Sequence, residues 1–170
     1  MANDEMLSRE EALRQIRLGI RRVALLYHAF AQTLIDQLGR ERGFEVIRKA
    51  IDAYGSHIGK EARRVAEGKG LQPVPENFES DLPTLAWETE QVTVEGEGRV
   101  RVHHCPLAKE WIELGEREIG RLYCFVDQAK MKAFNPEYEY LHLKNLLDGD
   151  PYCELVIRRA KGSKGTRPLH

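Results

Sequence analysis

Long apolar runs are missing from this chain. No stretch approaches the ~20 residues that cross a bilayer, so no membrane-spanning helix is expected. An excess of one charge is missing too. Lysine and arginine total 26 against 27 aspartate and glutamate, a formal net charge of -1, which leaves no field to attract nucleic acid or a membrane surface. The basic residues do not interleave with aromatics as a nucleic-acid platform requires. The Gly-rich phosphate loop, the Gly-x-Ser-x-Gly elbow and the His-Glu-x-x-His motif are absent. Cysteine is scarce: there are three, which cannot all pair within one chain. Reduced thiols fit the cytoplasmic location expected from an acidic start, Met1-Ala2-Asn3-Asp4-Glu5-Met6, without a secretory signal.

What is present suits one α+β domain over residues 1–160, with a disordered polar tail over 161–170. The 170 residues, 42% hydrophobic and 31% charged, are enough for one sizeable core. Ser8-Arg9-Glu10-Glu11 reads as a capping box that opens a helix running to Leu38, with Gly39 as its stop. Leu13, Ile16, Ile20, Val23, Tyr27, Phe30 and Leu34 follow alternating spacings of three and four, a stripe suited to core packing or to a homo-oligomer through the 8–38 helix. Phe44, Ile47, Ile51, Tyr54 and Ile58 repeat that spacing in a second helix over 43–67, so residues 8–68 form an antiparallel helical hairpin. Gly55 and Gly59 weaken the second helix but let another backbone approach closely. Pro73, Pro75 and Pro83 mark a connecting loop. A β-hairpin follows, with strands at 87–94 and 99–104 around Glu95-Gly96-Glu97-Gly98. Alternation puts Val100, Val102 and His104 on one face and Arg99, Arg101 and His103 on the other. A short helix over 106–114, a longer one over 120–134 and strands at 138–147 and 152–159 complete a small, mostly antiparallel sheet with short helices.

Each cysteine sits in a distinctive local pattern. Cys105 follows a strand and precedes Pro106, a favoured first helical residue, so it falls at the helix N-cap. Amide hydrogens there favour negative charge, and His103 or His104 adds a base or a positive neighbour. Cys124 and Asp127 are three apart and share a helix face, which suits a substrate cation or a metal between them. Cys153 follows the Asp148-Gly149-Asp150 turn and alternates with Leu155 and Ile157, which argues for burial. Cys105, Cys124, Cys153 and His142 are the candidate ligands if a metal is present, and zinc is the leading metal, although no zinc-finger spacing occurs.

The order Cys105-Pro106, Leu122-Tyr123-Cys124-x-x-Asp127-Gln128-Ala129 and Leu146-Leu147-x-Gly149-Asp150-x-x-Cys153-Glu154 resembles the L-2-amino-thiazoline-4-carboxylic acid hydrolase family over about residues 85 to 159. That resemblance implies opening of a cyclic isothiourea to N-carbamoyl-cysteine, with a small molecule as partner. The ending also resembles vinyl-4-reductase-type ligand-binding domains, which often bind zinc through Cys and Glu. His142 and Asn145 stand at the corresponding positions here, a departure from that ligand set. In the hydrolase reading Asp127 holds the amidinium, Cys105 attacks the carbon, and His104 serves as acid/base. Cys124 and Cys153 complete the site, Arg99 or Arg101 pairs with the substrate carboxylate, and His142 and Asn145 contact substrate. A metal-dependent hydrolase on the same residues and a binding or accessory subunit without catalysis are the alternatives. Every version of the single-site reading requires the three sulfurs and the Asp127 carboxylate to line one pocket.

Overall fold

The computed structural model describes residues 7–79 and 82–161, so most of the tail expected at 161–170 lies outside the described residues. Two long helices, α1 (Arg9–Leu38) and α2 (Arg40–Gly68), lead the chain. The Ser8 hydroxyl caps α1 by accepting from the Glu11 amide at 3.1 Å. Gly39, at φ 77°, turns the chain between the two helices. Gly43 lets them close up, because a Cβ there would lie 2.8 Å from the Ile35 Cα.

The buried edge of α1 departs from the heptad-like stripe. Ile20, Ala24 and Ala31 are buried, whereas Val23 and Phe30 are 48% and 66% exposed. A straight helix turns every 3.6 residues, so a strict seven-residue repeat drifts off its buried face. Two alanines occupy the inner line, and Val23, Leu26 and Phe30 face outward.

Two single 3₁₀ turns, Pro75–Asn77 and Thr84–Ala86, lead into the hairpin β1 (Glu88–Val94) and β2 (Glu97–His104). The turn is tighter than the sequence suggested. Glu95 and Gly96 alone form it, both at positive φ, and Glu97 and Gly98 already belong to β2. Next come α3 (Pro106–Glu113), α4 (Arg117–Tyr123), α5 (Phe125–Phe134), β3 (Tyr138–Lys144) and β4 (Cys153–Arg159). The strands form one antiparallel sheet in the order β1-β2-β4-β3, giving the expected α+β architecture.

The helix expected over 120–134 is broken at Cys124. Its two halves have different neighbours. Gly120 seats α4 on the Trp111 ring, where a Cβ would lie 2.6 Å from the indole. Gly55 and Gly59 seat α5 on α2: a Cβ at Gly59 would lie 2.1 Å from the Lys130 carbonyl oxygen. The close approach foreseen for these two glycines is thus made by α5. The strand expected to reach Leu147 ends at Lys144, because Asn145 caps a 3₁₀ turn over Leu146–Asp148. No helix among the described residues is long and apolar enough to cross a membrane.

Candidate active site

One cavity, about 100 Å³ in volume, lies between the helices and the inner face of the sheet. Cys105, Cys124, Asp127 and Cys153 all line it. The four groups that the single-site reading required to meet do so. Each arrives from a different part of the fold: Cys105 from the start of α3, Cys124 from the α4–α5 break, Asp127 from α5 and Cys153 from the start of β4. Tyr54, Trp87, Trp111 and Tyr123 supply aromatic walls.

Asp127 is the anion of this cavity. Its Oδ2 lies 3.1 Å from His142 Nε2, and its Oδ1 lies 3.3 Å from Lys130 Nζ. Burial pushes its pKa up, but the His142 hydrogen bond and the Lys130 charge together outweigh burial and hold it below the ordinary carboxylate value. The carboxylate keeps about a quarter of its side-chain surface exposed.

Asn145 fixes the histidine. Its side chain is 1% exposed. The Asn145 Oδ1 accepts from the Leu147 amide at 2.9 Å, which leaves Nδ2 to donate to His142 Nδ1 at 3.0 Å. His142 Nδ1 is therefore the acceptor, and its Nε2–H donates to Asp127. Asn145 also stands beside the Cys124 thiol and favours its ionised form, less than burial opposes it. Asp150 holds Asn145 in turn by accepting its backbone amide at 2.8 Å. The acidic Asp148-Gly149-Asp150 turn is thus a brace for the site, tied to α4 by Arg121 on Asp148 at 2.9 Å. A β-bulge in β3 between His142 and Lys144 ends the regular ladder beside the imidazole.

Burial decides the state of the thiols. Cys105 is the N-cap of α3, as its place before Pro106 foretold, and its sulfur accepts from the Ala108 amide at 3.5 Å. Burial nevertheless raises its pKa, outweighing the help of the Ala108 and Leu107 amides and the Trp87 indole. The stabilised thiolate expected from the helix start is therefore not the resting state. Burial pushes Cys124 up to about 12 and Cys153 up to about 11.

Three expected contributors stand elsewhere. Arg101 and Arg99 lie on the opposite face of the sheet, where both pair with the buried Glu154 at 3.0 and 2.7 Å, so neither lines the cavity. His104 is half-buried at the end of β2 and does not line it either. Lys130 is the cation that does, and it was not singled out from the sequence. Its spacing of three from Asp127 on α5 was the available signal. Although the three sulfurs and His142 share the cavity, no group of three or more His, Cys, Asp or Glu that could hold a metal ion occurs among the described residues. The candidate metal ligands Cys105, Cys124, Cys153 and His142 therefore do not fit a zinc site.

A pocket holding one ionised carboxylate, one ammonium, an oriented imidazole and three protonated thiols suits a small polar substrate and nucleophilic or acid/base chemistry. Comparison with protein families agrees with that class. The model of the L-2-amino-thiazoline-4-carboxylic acid hydrolase family matches residues 19–157, and the chain belongs to this family. No curated protein and no solved structure matches.

Proposed function

We propose that the cavity binds a small zwitterionic cyclic isothiourea, L-2-amino-thiazoline-4-carboxylate or a close relative, and opens its ring by hydrolysis. The observation that carries this reading is the Asp127–Lys130 pair in a cavity that also holds all three thiols. The substrate's protonated amidine matches Asp127, and its carboxylate matches Lys130 in place of the arginines expected earlier. The cavity has room for several waters, each needing ~10–15 Å³ by the same measure, and so suits a single substituted ring.

The chemistry begins from a neutral Cys105 thiol. A cation docked on Asp127 offsets the carboxylate's field and lowers the cost of a thiolate nearby. Cys105 sulfur adds to the ring carbon bonded to two nitrogens and one sulfur. The ring carbon–sulfur bond then breaks, and the departing sulfur takes up the proton given by Cys105, relayed by Asp127. Water attacks the resulting isothiourea on Cys105, and loss of the Cys105 sulfur leaves N-carbamoyl-cysteine. The sum is one substrate and one water giving one product. His142 keeps the second Asp127 oxygen in place, with Asn145 fixing its ring. Asp127 takes the proton-handling role expected for His104, which lies outside the cavity.

The test is release of a free thiol from L-2-amino-thiazoline-4-carboxylate, followed with a thiol reagent and by identification of the product. Asp127→Asn and Cys105→Ser are expected to lower turnover by about 10²-fold or more. Full turnover in both variants would sink the scheme. The raised thiol pKa values favour one second reading, a binding subunit without turnover. Saturable binding with no thiol release at any enzyme concentration would select it.

A further inference from the structure

The thiol cavity does not end at Asp127 and Lys130. A second, larger cavity of about 480 Å³ lies along the inner face of the sheet, where Pro75, Phe78, Leu82, Thr84 and Trp87 also line it. The two share Leu82, Trp87, Val102, Asp127, Lys130 and Leu155 as common walls. They therefore adjoin at the carboxylate–ammonium pair. Beyond that pair the outer cavity is apolar, walled by Phe78, Val100, Met131, Tyr140 and Ile157. Its remaining polar walls, Thr84, Thr89, Gln91 and the Tyr140 hydroxyl, are uncharged, so among the described residues Asp127 and Lys130 supply its charge.

A substrate that consisted of one small ring would leave this outer space unused. We infer that the substrate is bipartite: a compact cationic isothiourea or amidine head in the thiol cavity, and an uncharged aliphatic or aromatic arm in the outer cavity. This rests on the proposed function for the head and goes beyond it for the arm. The geometry also assigns the point of attachment. The amidine nitrogen that Asp127 holds lies where the two cavities adjoin, so a substituent on that nitrogen leads into the outer space. A substituent on the far side of the ring would meet Trp111 and Tyr123 instead, which wall the inner cavity alone. An anionic arm is disfavoured, because among the described residues no cation besides Lys130 lines the outer cavity.

The experiment measures equilibrium binding to the full chain by calorimetry, for L-2-amino-thiazoline-4-carboxylate and for its derivatives carrying a benzyl or hexyl group on the exocyclic nitrogen. Burying such an arm is expected to tighten binding by about 10-fold to 100-fold. Val100→Trp, which narrows the outer cavity on the sheet side, is expected to bring the ratio of the two affinities back toward about one, with thermal unfolding verifying that the variant folds. Tyr140→Phe, which keeps the ring, should preserve the ratio. Equal or weaker binding of the benzyl and hexyl derivatives to the unmodified protein would overturn the bipartite substrate. So would an unchanged ratio in a folded Val100→Trp. Thiol release is scored separately. Tight binding of the derivatives with ring opening of neither them nor the parent defeats the hydrolase reading and leaves the bipartite ligand standing. Ring opening of the parent with no gain from an arm does the reverse.

Discussion

Replacing Gly59 by alanine tests whether the site depends on backbone-to-backbone contact between α2 and α5. The added methyl would lie 2.1 Å from the Lys130 carbonyl oxygen, 2.9 Å from the Lys130 carbonyl carbon and 2.9 Å from the Ala133 Cβ. Backbone cannot swing aside as a flexible side chain does. Relieving the contact requires the helices to part by roughly 1 Å, an overpacking that costs about 1–3 kcal/mol. The intrinsic helix preference for alanine offsets up to ~1 kcal/mol of this. A net loss of about 1–2 kcal/mol lowers the melting temperature by roughly 2–8 °C for a chain of this length. Gly19 is the control, because a Cβ there meets nothing within 4 Å. Gly19→Ala should stabilise by about 0.5–1 kcal/mol. Thermal and urea unfolding followed by circular dichroism give both numbers. Gly59→Ala should also weaken ligand binding, since the residue it displaces is Lys130, whose neighbour on the same turn is Asp127. A Gly59→Ala protein as stable as Gly19→Ala would refute the close packing of α2 on α5.

Other expectations follow from the charges and hydrogen bonds. Asp127 has a lowered pKa in the folded protein, so its contribution to stability is present above the unfolded carboxylate value of about 4 and is lost as pH falls through the lower folded value. Affinity for a cationic amidine should therefore stay level from neutral pH to about 4 and fall below that in calorimetric titrations. The thiols behave oppositely. With Cys124 and Cys153 raised to about 12 and 11, their contribution is full below the unfolded thiol value of about 8.5 and is lost as pH rises toward those folded values. The urea midpoint should decline above that pH, and Cys124→Ser should flatten the decline. Asn145→Asp removes the donor to His142 Nδ1, so nitrogen-detected NMR should show the His142 Nδ1 gaining a proton; an unchanged tautomer would contradict the role given to Asn145. Arg101→Ala removes a partner of Glu154 on the far face of the sheet. It should lower the urea midpoint while ligand affinity stays within about twofold.

Much of this fold can be read from local chemistry. The Ser8 cap, the Gly39 turn and the Cys105 N-cap each depend on a few adjacent residues, and each stands where the sequence puts it. The break at Cys124 has no such signal. Every residue from Gly120 to Phe134 tolerates a helix, and the break reflects two distant seats, Trp111 for α4 and the Gly55–Gly59 surface for α5. The outward turn of Val23 and Phe30 is likewise set by drift across many turns rather than by either residue. At the site, the convergence of the cysteines and Asp127 was expected from family resemblance, and their spacing did not require it. Strand alternation had already separated Arg101 from Val102, and that separation is what removes Arg101 from the cavity. The N-cap of Cys105 was legible, but the depth of its burial was not, because burial is a property of the assembled walls.

The chain has two tryptophans, and both Trp87 and Trp111 line the thiol cavity. The Trp87 indole stands beside the Cys105 thiol and favours its ionised form, and the Trp111 ring stands 5.3 Å from that of Tyr123. The protein's entire indole emission thus originates at the walls of one chamber. Occupancy of that chamber, or ionisation of the sulfur beside Trp87, should change its intensity and colour with no silent background from elsewhere in the chain. The fold therefore contains its own optical gauge, suited to screening small molecules without labels.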